Sequence, residues 1–511
     1  MPDPRAPGTP AALRPAPPRV STPLPASCTL RADDSLHALD DGTILLGGSP
    51  LHLFRITPRA RDLVARWRSG APVGQGTAAR LLARRLVSAG ALVPQPAGVE
   101  FGPGDVTVVV PVRDRPDQLE RLLEALAPLA CTVVDDASAD PATTEDIAKR
   151  HGARFVPLGR NVGPAGARNA GMAAAATPLV AFVDSDCFPT DGWLEPLIGH
   201  FDDPLVAAVA PRIVAAGGRE PGTFGRAEAF HRYEAVRSPL DRGMNAAPVR
   251  PGSPVPFVPS AALVVRADVA TGADLFDPAL RGGEDVDLVW RLVQAGWDVR
   301  YEPRSKVAHD ATPTFRGYLR RQAFYGTTAA PLARRHPGNL APLQVSAWSV
   351  AVWLLAATRR PLLAAVTLTV PVLILARRLT GLVRDPVGVA ARIAAGGTLR
   401  SALPSLAGLS RAWSPALVAG LAFRRTRRAC ALAFVAAALG DWAAHRDALD
   451  PARFTALHIA DDIAYGAGVW AGCTRQGTLD PLVPRLAWRS ESWSSSTLRR
   501  DLASSGPLGA A

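Results

Sequence analysis

A run of uncharged, mostly β-branched residues, VTVVVPV at 106–112, most constrains how this chain can fold. Such a run reads as a strand buried on both faces, the kind found in parallel sheets. Leu119, Leu122, Leu123, Leu126 and Leu129 follow at helical spacing, and a second apolar run occupies 131–134. Strand, helix and strand with short connections imply a parallel βαβ unit, whose ligands gather at the carboxyl ends of the strands. Acidic residues stand at those ends. Asp135 and Asp136 close the second run, and a third strand, LVAFV at 179–183, leads into Asp184-Ser185-Asp186. Two hard oxygen ligands one residue apart at a strand tip suit Mg²⁺ or Mn²⁺, with a nucleoside diphosphate supplying the remaining oxygens. Any one of these aspartates alone also reads as a turn former. Their ordered placement favours the ligand reading.

Further along, Gly282-Gly283 precedes Glu284-Asp285 at the start of a helix whose apolar positions are Val286, Val289, Leu292 and Val293. A carboxylate there can act as a general base on a hydroxyl, and the competing reading is a pair of acids complementing the helix dipole. The Gly-rich piece from Gly159 to Gly171 lacks the spacing of a dinucleotide fingerprint and does not follow the first strand, which disfavours dinucleotide binding. A strand ending at His309 closes the region.

The pieces VVVPVRDR (108–115), VVDDAS (133–138), GRNVGPAGARNAGMAAA (159–175), FVDSD (182–186) and GGEDVDLVWRL (282–292), with Pro303 and His309 beyond them, occur in this order. In that combination residues 105–330 resemble the family 2 glycosyltransferases. The resemblance implies an α/β fold of the GT-A type that binds a nucleotide-sugar donor, UDP-glucose by preference, and passes a hexose to an acceptor. It implies that Asp184 and Asp186 hold a divalent metal, with His309 on the metal or the diphosphate. Pro111, Arg113 and either Asp135 or Asp136 are implied donor-binding residues, the aspartate on uracil or ribose. Arg168 is expected to open a helix facing the diphosphate, a solvated surface arginine being its alternative. The resemblance puts the general base on Asp285, with Glu284 orienting the acceptor. One base and direct displacement imply inversion. Processive members carry a Gln/Arg-x-x-Arg-Trp element, whereas residues 320–326 here read RRQAFYG, which fits addition of one or a few sugars.

Composition bounds the remainder. A length of 511 residues allows two to four domains. The formal charge of +12 invites a nucleic-acid reading, yet only Lys149 and Lys306 are lysines and the arginines are scattered, not striped with aromatics. No nucleic-acid partner is expected. Five scattered cysteines with no CxxC argue for a reducing compartment and no zinc site. Residues 1–29 form a Pro-rich tail expected to be disordered, without a secretory signal. Residues 30–97 read as a small module of short strands and two helices, similar to the winged-helix-like peptide chaperones of the pyrroloquinoline quinone pathway. Residues 104–340 are expected to form the catalytic domain.

The last part, 341–511, contains uncharged apolar runs at 343–358 and 361–376 and shorter ones at 412–423 and 429–440. All fall short of the roughly 18–20 residues of a confident span. Helices docked on a membrane surface, short spans and a buried hairpin are the three readings. Membrane association on the cytoplasmic side is favoured, with the Arg424–Arg428 cluster against anionic headgroups. The three-part combination, with LLGGSPL (45–51) and LFRITP (53–58), resembles the glycosyltransferases of the mycofactocin system, which add glucose to a peptide-derived redox cofactor or its precursor. The alternatives are a membrane-associated transferase of cell-wall or lipid-linked glycan synthesis, and a peptide-binding scaffold with a degenerate transferase.

Overall fold

The computed structural model describes residues 13–216, 226–270 and 275–487. The N-terminal module contains β1 (Thr29–Ala32), β2 (His37–Leu39), β3 (Ile44–Gly47), β4 (His52–Arg55), α1 (Pro58–Arg68), α2 (Thr77–Ser88) and β5 (Leu92–Gln95). Strands β2, β3 and β4 form an antiparallel meander, and β1 pairs with β5. Trp67, Leu86, Leu45 and Phe54 fill the space between them and the two helices.

The expected disordered tail is corrected for the described residues 13–29. Arg14 N–H donates to Val269, Ala16 N–H to Ala295, and the Trp297 indole to the Arg14 carbonyl. Arg19 pairs with Asp298 at 2.6 Å. Proline restricts the unfolded chain as well as the folded one, so a Pro-rich strap loses little entropy on docking. The expectation also covers residues 1–12, which lie outside the described residues.

Next come β6 (Val106–Val112), α3 (Pro116–Leu126), β7 (Ala130–Asp135), α4 (Pro141–Arg150), β8 (Arg154–Pro157), α5 (Gly163–Ala174), β9 (Leu179–Val183), β10 (Cys187–Pro189), α6 (Glu195–Ile198) and β11 (Val206–Ala215). They are followed by α7 (Arg226–Arg237), β12 (Ala247–Pro248), β13 (Ala262–Arg266), α8 (Glu284–Gln294), β14 (Asp298–His309), α9 (Phe315–Thr327) and α10 (Ala329–Arg335). The strands build one mixed sheet in the order β10-β14-β11-β13-β9-β6-β7-β8, with β12 also on β14. β9, β6, β7 and β8 run parallel, as the apolar runs require, and β13 is antiparallel to both β9 and β11. One apolar layer lies on each face, around Leu119 and Phe201 on one side and Phe182 and Trp290 on the other.

The chain closes with β15 (Gln344–Ser346), α11 (Ala347–Ala357), α12 (Pro361–Leu379), α13 (Pro386–Ala412), α14 (Ser414–Leu421), α15 (Arg427–Trp442), α16 (Pro451–Gln476) and β16 (Arg485–Ala487). A boundary at residue 340 does not separate these helices from the sheet domain. Phe230, Tyr233 and Tyr318 share one core with Leu449 and Phe454, and the hydroxyls of both tyrosines donate to Asp461 of α16. The expectation that no apolar stretch reaches spanning length is also corrected. α12 continues through Arg377 and Arg378 to 19 residues and is long and apolar enough to cross a membrane, with 17% of its most apolar window buried.

Candidate active site

β6, β7 and β9 end side by side because their registers align, and this brings three acidic turns to one edge of the sheet. A cleft of about 590 Å³ opens there. Pro111, Arg113, Asp136, Arg168, Asp184 and Asp186 line it, together with Arg115, Arg281 and Phe324. Asp135, Glu284, Asp285 and His309 stand behind or beside this lining.

Arg168 lies in the second turn of α5 and does not open the helix. Its guanidinium is only 3% exposed and donates to Asp184 Oδ1 at 2.6 Å and Glu284 Oε1 at 2.9 Å. Both the helix-opening and the solvated readings therefore give way to a buried link between the β9 tip and the α8 start. The N-terminus of α5 is taken by Asp136, whose carboxylate accepts from the Val162 and Gly163 N–H groups at 2.7 and 3.0 Å. This satisfies orphan donors of the first turn, the usual role of an acid at a helix start. Asp135 accepts from the Ser138 N–H at 3.1 Å through Oδ2, while its buried Oδ1 has no hydrogen-bond partner.

The two carboxylates of Asp-x-Asp diverge. Asp184 turns to Arg168, and Asp186 hydrogen-bonds to Arg115 and stands 3.7 Å from His309 Nε2. Burial pushes the Asp184 carboxyl above its ordinary range despite Arg168. Burial works to raise Asp186 as well, but His309 and Arg115 outweigh it and hold that carboxyl below the ordinary range. Asp186, Cys187 and His309 offer ligand atoms within 4.8 Å of one another. The Cys187 thiol is fully buried and its pKa is pushed well up by burial, so it offers little thiolate. Asp186 and His309 are the convergent pair, and the carboxylate oxygen suits a hard cation such as Mg²⁺ or Mn²⁺. Asp184 lies two residues before Asp186 and outside this group.

α8 begins after Gly283, whose φ of 78° is left-handed and whose missing Cβ would otherwise meet Leu332 at 2.8 Å. The turn directs Asp285 toward the start of β13, where its carboxylate accepts from the Ser260 N–H at 3.3 Å. Burial pushes Asp285 and Glu284 above the ordinary carboxylate range, and for Glu284 the neighbouring Asp285 charge adds to this. Arg115, Arg281 and Phe324 are not singled out by sequence. Arg115 lies within the VVVPVRDR motif, but Phe324 reaches the cleft only through tertiary packing of α9.

A half-buried carboxylate on a strand tip and a buried one on a helix start, linked by one arginine at a cleft, fit a glycosyltransferase. Residues 107–252 match the model of Glycosyl transferase family 2. The chain is 40% identical over 485 residues to the pre-mycofactocin glycosyltransferases of two Mycobacterium tuberculosis strains, CDC 1551 and H37Rv, covering 91% of this chain and 99% of theirs. It belongs to the pre-mycofactocin glycosyltransferase family. Among solved structures it is similar to GalNAc-T7 with UDP, GalNAc and Mn²⁺, at 18% identity and a TM-score of 0.32 over 45% of this chain and 51% of that one. It is also similar to Staphylococcus aureus TarS 1–349 in complex with UDP, at 16% identity and a TM-score of 0.31 over 44% and 65%.

Proposed function

We propose that this chain transfers glucose from UDP-glucose to pre-mycofactocin, with inversion at the anomeric carbon. The observation that carries the reading is Arg168, which ties Asp184 at the donor side to Glu284 beside the base. Donor and acceptor chemistry are thereby fixed to each other. Asp285 accepts the proton of the attacking hydroxyl, and its raised proton affinity suits a base that must work near neutrality. Glu284, held by Arg168, orients the acceptor. Asp186 and His309 fit a divalent cation, Mg²⁺ or Mn²⁺, and we assign the third donor to Asp184, of which Arg168 holds Oδ1; when bound, the cation would supply Lewis-acid stabilisation of the departing diphosphate. Pro111 and Arg113 line the donor cleft. Of the aspartate pair, Asp135 has the unused oxygen, and we assign to it the contact with uracil or ribose.

Around this centre, of GT-A type, we read residues 30–97 as a winged-helix-like module that presents the peptide-derived acceptor. Arg84 clamps it to the catalytic body through Asp203 at 2.7 Å, which Arg300 also binds. We read the C-terminal helices as the membrane-facing part, on the cytoplasmic side. Their support is the exposed apolar face of α12, where Leu362, Leu363 and Val366 are all at least half exposed, and the exposed Arg424–Arg428 cluster.

The test is incubation of the purified chain with UDP-glucose and pre-mycofactocin, followed by mass spectrometry and by the anomeric proton coupling of the product. A β-linked glucosyl adduct is expected. Transfer to a lipid-linked glycan acceptor with none to pre-mycofactocin would favour the cell-wall alternative instead.

A further inference from the structure

Arg242 differs from Arg168, Arg115 and Arg212. Arg168, Arg115 and Arg212 each bind a carboxylate, the last holding Asp241 with three hydrogen bonds at 2.7–3.1 Å. Among the described residues, the Arg242 side chain has no hydrogen bond and no ion pair, although it is half-buried and its Nε is fully enclosed. Its guanidinium carbon lies 3.9 Å over the ring of Phe257, so one face of the fork is covered by an aromatic plate and the edge N–H groups are left unused. Phe257 belongs to the same segment as Ser260, whose N–H binds the Asp285 carboxylate, so the plate that backs the fork is part of the backbone that holds the base.

An enclosed Nε without an acceptor is costly, and the planar fork matches a pair of coplanar oxygens. Asp241 is taken by Arg212, and among the described residues no carboxylate hydrogen-bonds to the Arg242 fork. The donor cleft does not include Arg242. We propose that Arg242, backed by Phe257, is an acceptor-binding residue: it grips a planar pair of oxygens on the acceptor, as in a carboxylate, while the reacting hydroxyl sits at Asp285. This rests on the proposed base, and it adds a substrate feature that the acidic motifs do not specify.

Two measurements test it. The first needs no acceptor: phenylglyoxal modification of the native full chain, with Arg242 followed by peptide mass spectrometry. Oxalate, a small planar dioxygen anion, is expected to slow labelling of Arg242 at least threefold, and UDP is not. Equal labelling with and without oxalate, or protection by UDP, overturns the inference whatever the acceptor. The second is kinetic. Arg242→Gln is expected to raise KM for pre-mycofactocin tenfold or more with UDP affinity within twofold of native, and Arg242→Lys, which keeps the charge but not the fork, to recover only part of the loss. An unchanged acceptor KM with weakened UDP binding overturns it. Failure of the native chain to use pre-mycofactocin counts against the functional reading alone, since the oxalate result still decides the role of Arg242.

Discussion

Single carboxylates carry distinct duties, and their surroundings say how each should respond to change. Asp285→Asn keeps the shape and removes the proposed base. Transfer is expected to fall by about 10²–10⁴-fold, the usual scale for general-base loss. Calorimetric affinity for UDP should stay near native; a variant that still transfers normally would move the base to Glu284. The pH dependence has a definite sign. Burial raises the Asp285 pKa above 3.8, and the base must be ionised to act, so kcat/KM falls as pH drops through the raised value. The acid limb should therefore lie above the range of an ordinary aspartate, and a limb at or below 3.8 would exclude Asp285. Asp186 is different. Its charge is stabilised, and Asp186→Ala removes a convergent donor next to His309, so donor affinity and turnover should drop together. Full activity in excess EDTA would refute a cation at that pair.

The elements that bring these residues together were legible to different degrees. Strands β6, β7 and β9 were readable because burial on both faces leaves an uninterrupted apolar run, and α8 because its apolar positions recur at helical spacing after a glycine turn. The direction of Arg168 was not readable, because nothing local says that α5 starts five residues earlier and that its end is capped from β7 by Asp136. α16 was hidden for another reason. Its contact face is made of glycine rather than a stripe of large apolar residues. Gly468 faces the Ala323 carbonyl, and a Cβ on Gly472 would lie 2.6 Å from the Thr327 oxygen, so α16 and α9 cross almost backbone to backbone. α9 also carries Phe324 into the donor cleft. Gly472→Val should thus lower stability by about 1–3 kcal/mol through overpacking and weaken UDP binding at the same time. Thermal unfolding and UDP titration on one preparation check both. A loss of stability with unchanged UDP affinity would show that α9 does not transmit the shift to the cleft.

At the scale of the whole molecule, the C-terminal helices are both a structural partner of the catalytic body and its most apolar exposed surface. Removing residues beyond 340 would uncover Tyr233, Tyr318 and the buried Gln322, and would leave Arg321 and α7 without the helices that cover them. Such a truncation should be insoluble or fail to bind UDP, whereas a soluble, UDP-binding fragment would show that this shared core is dispensable. The outer side faces a different demand. Leu362 is 82% exposed and Val366 63%, and Leu432 and Phe423 extend the apolar surface near four exposed arginines, Arg424, Arg425, Arg427 and Arg428. Apolar side chains can enter the headgroup boundary, while each adjacent arginine adds about 1 kcal/mol of attraction to an anionic surface. Binding should therefore combine a salt-sensitive and a salt-resistant part. The full chain is expected to float with vesicles of phosphatidylcholine and phosphatidylglycerol, less with phosphatidylcholine alone, and less again at high salt. Leu362→Asp with Val366→Asp should reduce the salt-resistant part, and neutralising the four arginines the salt-sensitive part. A native chain that stays off anionic vesicles at low salt would overturn the membrane reading and leave the α12 face to be covered by protein.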